Sequence, residues 1–216
     1  MSVIRQPGVL GRTTRRRVVG ITAAISTAAL ETVAVGLWFW LVVDAQTAST
    51  ALAALGILFC GALLRAGLFE ATISTLGDLL QPRRLSAAVA FTGSWIVWLL
   101  VADLLGGIVG VVVATVVLIG LLMAQFAFER HVFRIDADRV PSPWAVLPAA
   151  LLAAGSAALL VSSQFIDWTI VSPPLSLEVT TFVIQIEAVH LGIVAFGLCA
   201  FLAHQQRFYR LLANGC

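Results

Sequence analysis

Six apolar runs, each long enough to cross a bilayer, constrain this chain more than any other feature. A hydrocarbon core of about 30 Å requires roughly 20 apolar residues in a helix. Val18 to Val43, Thr50 to Glu70, Ser86 to Leu104, Ile108 to Phe128, Trp144 to Ser163 and Thr181 to Ala203 meet that length. In lipid each segment must satisfy its own backbone hydrogen bonds, so the runs read as helices rather than open strands. The predicted fold class is therefore all-α, a polytopic transmembrane six-helix bundle. With 60% of its 216 residues hydrophobic and 11% charged, the chain leaves no connecting stretch able to fold by itself. The expected division is a basic cytoplasmic N-terminal tail over 1–17, a membrane domain over 18–203 and a cytoplasmic C-terminal tail over 204–216.

Orientation is read from arginine. Arg5, Arg12, Arg15, Arg16 and Arg17 precede the first run, and Arg83 with Arg84, Arg130 with Arg134 and Arg139, and Arg207 with Arg210 flank the others on alternate sides only. An excess of basic residues marks cytoplasmic links. The predicted location is thus the cell (plasma) membrane, multi-pass, with both termini cytoplasmic. The opposite links carry Asp44, Asp103, Asp167 and Glu178, and Trp38, Trp40, Trp95, Trp98 and Trp168 gather toward that side as an expected aromatic belt. Thr13-Thr14-Arg15-Arg16-Arg17 also resembles a twin-arginine export signal. Cleavage near Ala28-Ala29 leaves a stump too short to span, so an uncleaved first helix is preferred.

The basic residues are all Arg and none is Lys, which excludes a retinal Schiff base and a lysine-bearing phosphate loop. Cys60, Cys199 and Cys216 are isolated and fit no zinc, redox or disulfide spacing. Superposing Asp103 on Asp44 also brings Gly120 onto Gly61, Leu122 onto Leu63 and Phe128-Glu129 onto Phe69-Glu70, with a fainter third copy around Gly192 and Gly197. This predicts three parallel helical hairpins around a pseudo-threefold axis. Small-residue stripes at Gly20, Ala24 and Ala28 and at Ala149, Ala153 and Ala157 are read as close helix packing.

Ionisable groups at membrane depth are costly and usually face other helices or water. Glu187, His190, Gly197 and His204 share one face of the last run, and Glu31 lies within the first. If these two helices touch, Glu31, Glu187 and His190 form a proton- or cation-handling cluster in the outer half. The alternative makes them hydrogen-bonded structural residues. Arg65 is read as an anion contact or inner gate, or as a snorkelling or salt-bridged cation. Glu70 and Glu129 join it as inner-side candidates at the cytoplasmic rim, capping helices or pairing with Arg84 and Arg130.

Metal chemistry finds less support. Glu187-x-x-His190 has di-iron half-site spacing, but no second such motif occurs. One b haem held by His131 and His204 is the remaining option, since His190 lacks a second axial partner. No nucleophile motif, phosphate loop or nucleic-acid surface is present. The leading function is a small secondary transporter or channel for a small ion or solute, without a cofactor. Its competitors are a non-transporting membrane subunit or scaffold of a larger complex and, third, a single b-haem redox subunit. Expected partners are the bilayer, anionic lipid headgroups at the cytoplasmic face, and a second copy or a partner membrane subunit.

Overall fold

The computed structural model describes residues 9–43, 47–73, 82–132, 145–172, 175–177, 180–182 and 185–214. Among these residues are six long apolar helices: α1 (Val9–Val43), α2 (Ala48–Ile73), α3 (Pro82–Leu105), α4 (Gly107–Val132), α5 (Val146–Gln164) and α6 (Ala188–Asn214). Each contains a stretch long and apolar enough to cross a membrane. The helix ends follow local chemistry. Thr47 precedes α2 and its Oγ1 accepts the Thr50 N–H at 3.2 Å, an N-cap. Pro82 opens α3, where its missing N–H costs nothing. Gly106 and Gly107 join α3 to α4 with φ of 64° and 56°, the left-handed region that L side chains avoid.

Each helix packs on its neighbour in sequence, and α1 packs on α6, closing a ring. Thr32 lies against Gly197 and Ala24 packs with Phe208, so α1 and α6 run antiparallel. The start of α1 and the end of α6 therefore share one face, here the terminal face. Close approaches rest on small residues. Gly61 of α2 sits directly against Ala34 of α1, and Gly155 of α5 leaves only 3.0 Å between a built Cβ and the Phe196 Cα of α6. Gly120, matched to Gly61 in the repeat alignment, has nothing within 4 Å and is exposed. That pair shares no packing role.

The sixth span differs from its expected bounds. Thr181 was expected to begin a helix, yet β3 (Thr180–Phe182) and β4 (Gln185–Glu187) are strands. They pair antiparallel with β2 (Leu175–Leu177) and β1 (Thr169–Val171), respectively. The segment Thr180-Thr181-Phe182-Val183-Ile184 is β-branched and aromatic, which favours a pleated chain over a helix. Hence α6 starts at Ala188 and runs on to Asn214, through residues assigned above to a tail.

The aromatic belt is also corrected. Trp38, Trp95 and Trp98 are buried inside the ring, while Trp40 and Trp168 are exposed. Trp38 and Trp40, two positions apart on a helix, necessarily face different ways. Trp95 meets Trp98, Phe196, Phe91 and Trp38 edge to face at centroid distances of 5.3, 5.5, 5.9 and 6.3 Å. These rings fill the ring of helices on the side away from the terminal face. Outward positions such as Val116, Val194 and Leu198 remain exposed, as a surface in contact with acyl chains requires.

Candidate functional site

Toward the terminal face the interior changes from aromatic to ionic. Glu31 of α1, Arg65 of α2, Glu129 of α4 and His204 of α6 are all at least 95% buried. Glu31 Oε2 lies 2.5 Å from His204 Nε2 and 3.4 Å from Arg65 Nε. Arg65 Nη1 donates to Glu129 Oε1 at 3.2 Å, and Arg207 Nη2 donates to Glu129 Oε2 at 2.8 Å. Gln125, one turn before Glu129, adds a third donor to that carboxylate at 3.0 Å. His204 and Arg207 are three residues apart and so share one face of α6. The chain His204–Glu31–Arg65–Glu129–Arg207 therefore leaves α6 and returns to it, a circuit of alternating hydrogen-bonding partners through α1, α2 and α4.

Aromatic faces support both cations. Arg65 stacks over Phe91 of α3 at 4.5 Å and Arg207 over Phe126 of α4 at 4.1 Å, geometry that favours a desolvated guanidinium. Phe91 also touches Trp95, so Arg65 is the joint between the ionic and aromatic halves. Several buried polar atoms have no hydrogen-bond partner among the described residues, including Glu31 Oε1, Arg65 Nη2, Thr92 Oγ1 and the indole nitrogens of Trp95 and Trp98.

The expected grouping of Glu31 with Glu187 and His190 does not form. The helices α1 and α6 do meet, but Glu31 is partnered by His204 and Arg65. Glu187 ends β4, before the helix begins, and its carboxylate accepts from Gln185 at 3.2 Å. His190 is exposed, and its Nδ1 accepts the Glu187 backbone N–H at 3.0 Å, the return half of a capping box. The physical reason is the late start of α6. It leaves Glu187 outside the span, and because Glu31 meets α6 at His204, His190, 14 residues earlier on that helix, stands about 21 Å above the circuit.

The inner-side candidates fare differently. Arg65 does not snorkel, and Glu129 is enclosed rather than placed at the rim, because each is the other's counter-ion. The side chains of Glu70 and His131 lie outside the described residues. His204, considered above as a haem ligand, directs Nε2 at the Glu31 carboxylate. In the sequence Arg207 stands as a flanking charge and Gln125 belongs to no motif. The spacings His204-x-x-Arg207 and Gln125-x-x-x-Glu129, which put each pair on one helix face, were the available signal.

Six candidate spans around a buried salt-bridge network define a multi-pass membrane protein. Comparison with protein-family models, curated proteins and solved structures finds no match for this chain.

Proposed function

We propose that the protein is a small secondary transporter in which Glu31 and His204 form the proton-handling pair and Arg65 is the group that changes partners. The observation that carries this reading is the position of Arg65 between two carboxylates, at 3.4 Å from Glu31 and 3.2 Å from Glu129. With nearly equal distances to two anions, its preference is set by whichever carries the fuller charge. A proton taken up at the Glu31–His204 pair weakens the hold of Glu31 on Arg65 and turns the guanidinium toward Glu129. Release of the proton reverses the change. Such a switch biases the contacts of α2 with α1 against those with α4, which is what alternating access of a small bundle needs.

A purely structural role is the weaker account. Buried ion pairs incur desolvation that apolar packing of the same volume avoids, so they are an expensive way to hold helices together. The aromatic half of this same ring is held without them. The competing scaffold reading draws on that dense aromatic packing, and it entails a partner that co-purifies and no flux of its own. The basic N-terminal segment supports cytoplasmic termini in the cell membrane and contact with anionic headgroups.

Reconstitution in liposomes enclosing a pH-reporting dye tests the proposal. An imposed pH gradient is expected to drive protein-dependent proton entry. Glu31→Gln and His204→Gln each slow it at least tenfold in protein that remains monodisperse, whereas Glu187→Gln leaves it unchanged. Undiminished proton entry in both Glu31→Gln and His204→Gln would remove the assigned pair.

A further inference from the structure

We infer that the carried species is a small monovalent anion that moves together with one proton, bound at the unpaired Nη2 of Arg65 and passed along hydrogen-bond donors of α3. The inference rests on the transport reading above and adds the substrate class to it.

The first argument is charge. Among the described residues, the side chains joined by the ion pairs of this circuit are two carboxylates, Glu31 and Glu129, and two guanidiniums, Arg65 and Arg207. With His204 uncharged they sum to zero. Among the described residues, the charged groups in contact with the Glu31–His204 pair from the helices packed on α1 are Arg65 from α2 and, through Glu129, Arg207 on α6. None of them supplies a spare negative charge. One proton gained by the pair therefore leaves one positive charge unmatched at membrane depth, where isolated charge is strongly disfavoured. An anion that enters with the proton restores neutrality, in a ratio of one to one.

The second argument is the separate distribution of unpaired donors. Arg65, Thr92, Trp95 and Trp98 are exposed by only 5, 6, 0 and 0%, and Arg65 Nη2, Thr92 Oγ1, Trp95 Nε1 and Trp98 Nε1 have no hydrogen-bond partner among the described residues. The indole nitrogen can only donate, and so can guanidinium. Thr92, Trp95 and Trp98 are successive third positions of α3, about 4.5 Å apart along its axis. Arg65 stands at the foot of this line, stacked on Phe91, the residue before Thr92. Neighbouring rings inclined at 67° and 87° offer these N–H groups at most a weak π contact. The acceptors without a partner among the described residues, Glu31 Oε1, Gln125 Oε1 and Gln206 Oε1, belong instead to α1, α4 and α6, the helices of the ionic circuit. Two donor-only indoles and a hydroxyl able to donate, leading to a cation, favour an anion. The crowding of Trp95 by four rings at 5.3 to 6.3 Å restricts that anion to a small one.

The test uses the full chain in liposomes with an internal pH dye, an inward pH gradient, and external chloride, nitrate, sulfate or gluconate at equal ionic strength, with protein-free liposomes subtracted. Proton entry is expected to be at least tenfold faster in chloride or nitrate than in gluconate or sulfate, with no dependence on a potential set by valinomycin and potassium. Thr92→Val, which removes the hydroxyl while keeping the shape, and Trp95→Phe are expected to cut chloride-driven entry at least fivefold. Equal proton entry in all four salts would overturn the anion inference and leave the transport reading standing. Absence of protein-dependent proton entry in every salt would remove both. Chloride-driven entry unchanged in a monodisperse Thr92→Val protein would overturn the role given to α3.

Discussion

Glu129 accepts from Arg65, Arg207 and Gln125 at once, so it is the residue on which the ionic half of the molecule is most dependent. Removing one member of a buried ion pair typically costs about 3–5 kcal/mol, because the remaining charge is left desolvated and unmatched. Glu129→Leu is expected to lower stability in detergent by about that amount, read as the midpoint of unfolding. Glu129→Gln keeps an acceptor oxygen for one arginine and is expected to cost clearly less. Equal loss in the two variants would show that the carboxylate charge, rather than acceptor geometry, is the whole of the effect. Glu31 and Arg65 are visible in the sequence as ionisable residues inside apolar runs, and Glu129 stands just past the end of one, at the expected rim. Their pairing is not visible there. A charge in a run signals that a partner exists, but the identity of the partner depends on which helix faces meet, and His204 and Arg207 lay in a segment that resembled the edge of the bundle.

At the scale of elements, the pair α1/α2 shows how small residues set distance. A Cβ built on Gly61 meets the Ala34 side chain well inside contact distance, so the two backbones are as close as these residues allow. Gly61→Ala is expected to destabilise the fold by about 1–3 kcal/mol through overpacking, and to loosen the Glu31–Arg65 contact one turn away. Ala34→Gly in the same chain should recover most of that loss, since it vacates the volume the new methyl requires. Failure of Ala34→Gly to recover stability would place the strain elsewhere on α2. The helices themselves were legible because length and apolar content decide spanning. The β-ribbon was obscured by the same criterion. The sequence from Thr181 to Ile186 is apolar enough to extend the last run, and its β-branched character is the one mark of the strands β3 and β4 that occupy its two ends. A boundary at Thr181 puts Glu187 and His190 inside the span as an outer cluster, whereas α6 beginning at Ala188 leaves Glu187 outside it and His190 exposed in its first turn.

The described helices close into a ring with the start of α1 and the end of α6 on one face, and this has a direct topological test. In a chain whose native cysteines are replaced, Thr47→Cys and Leu104→Cys lie at links opposite the terminal face, whereas Tyr209→Cys is exposed near it. A membrane-impermeant maleimide added to sealed, right-side-out cells is expected to label the first two and not the third. Inverted vesicles should give the opposite pattern. Labelling of all three from one side would contradict six spans. The return of the ionic circuit to α6 bears also on how the protein is made. Synthesis runs from the first helix to the last, so Glu31 and Glu129 enter the membrane well before His204 and Arg207 exist. Until the final segment is threaded into place, the earlier helices carry half-neutralised charge in lipid. A chain cut short before α6 is therefore expected to leave Glu31 and Glu129 short of partners in lipid and to be less stable than the full chain.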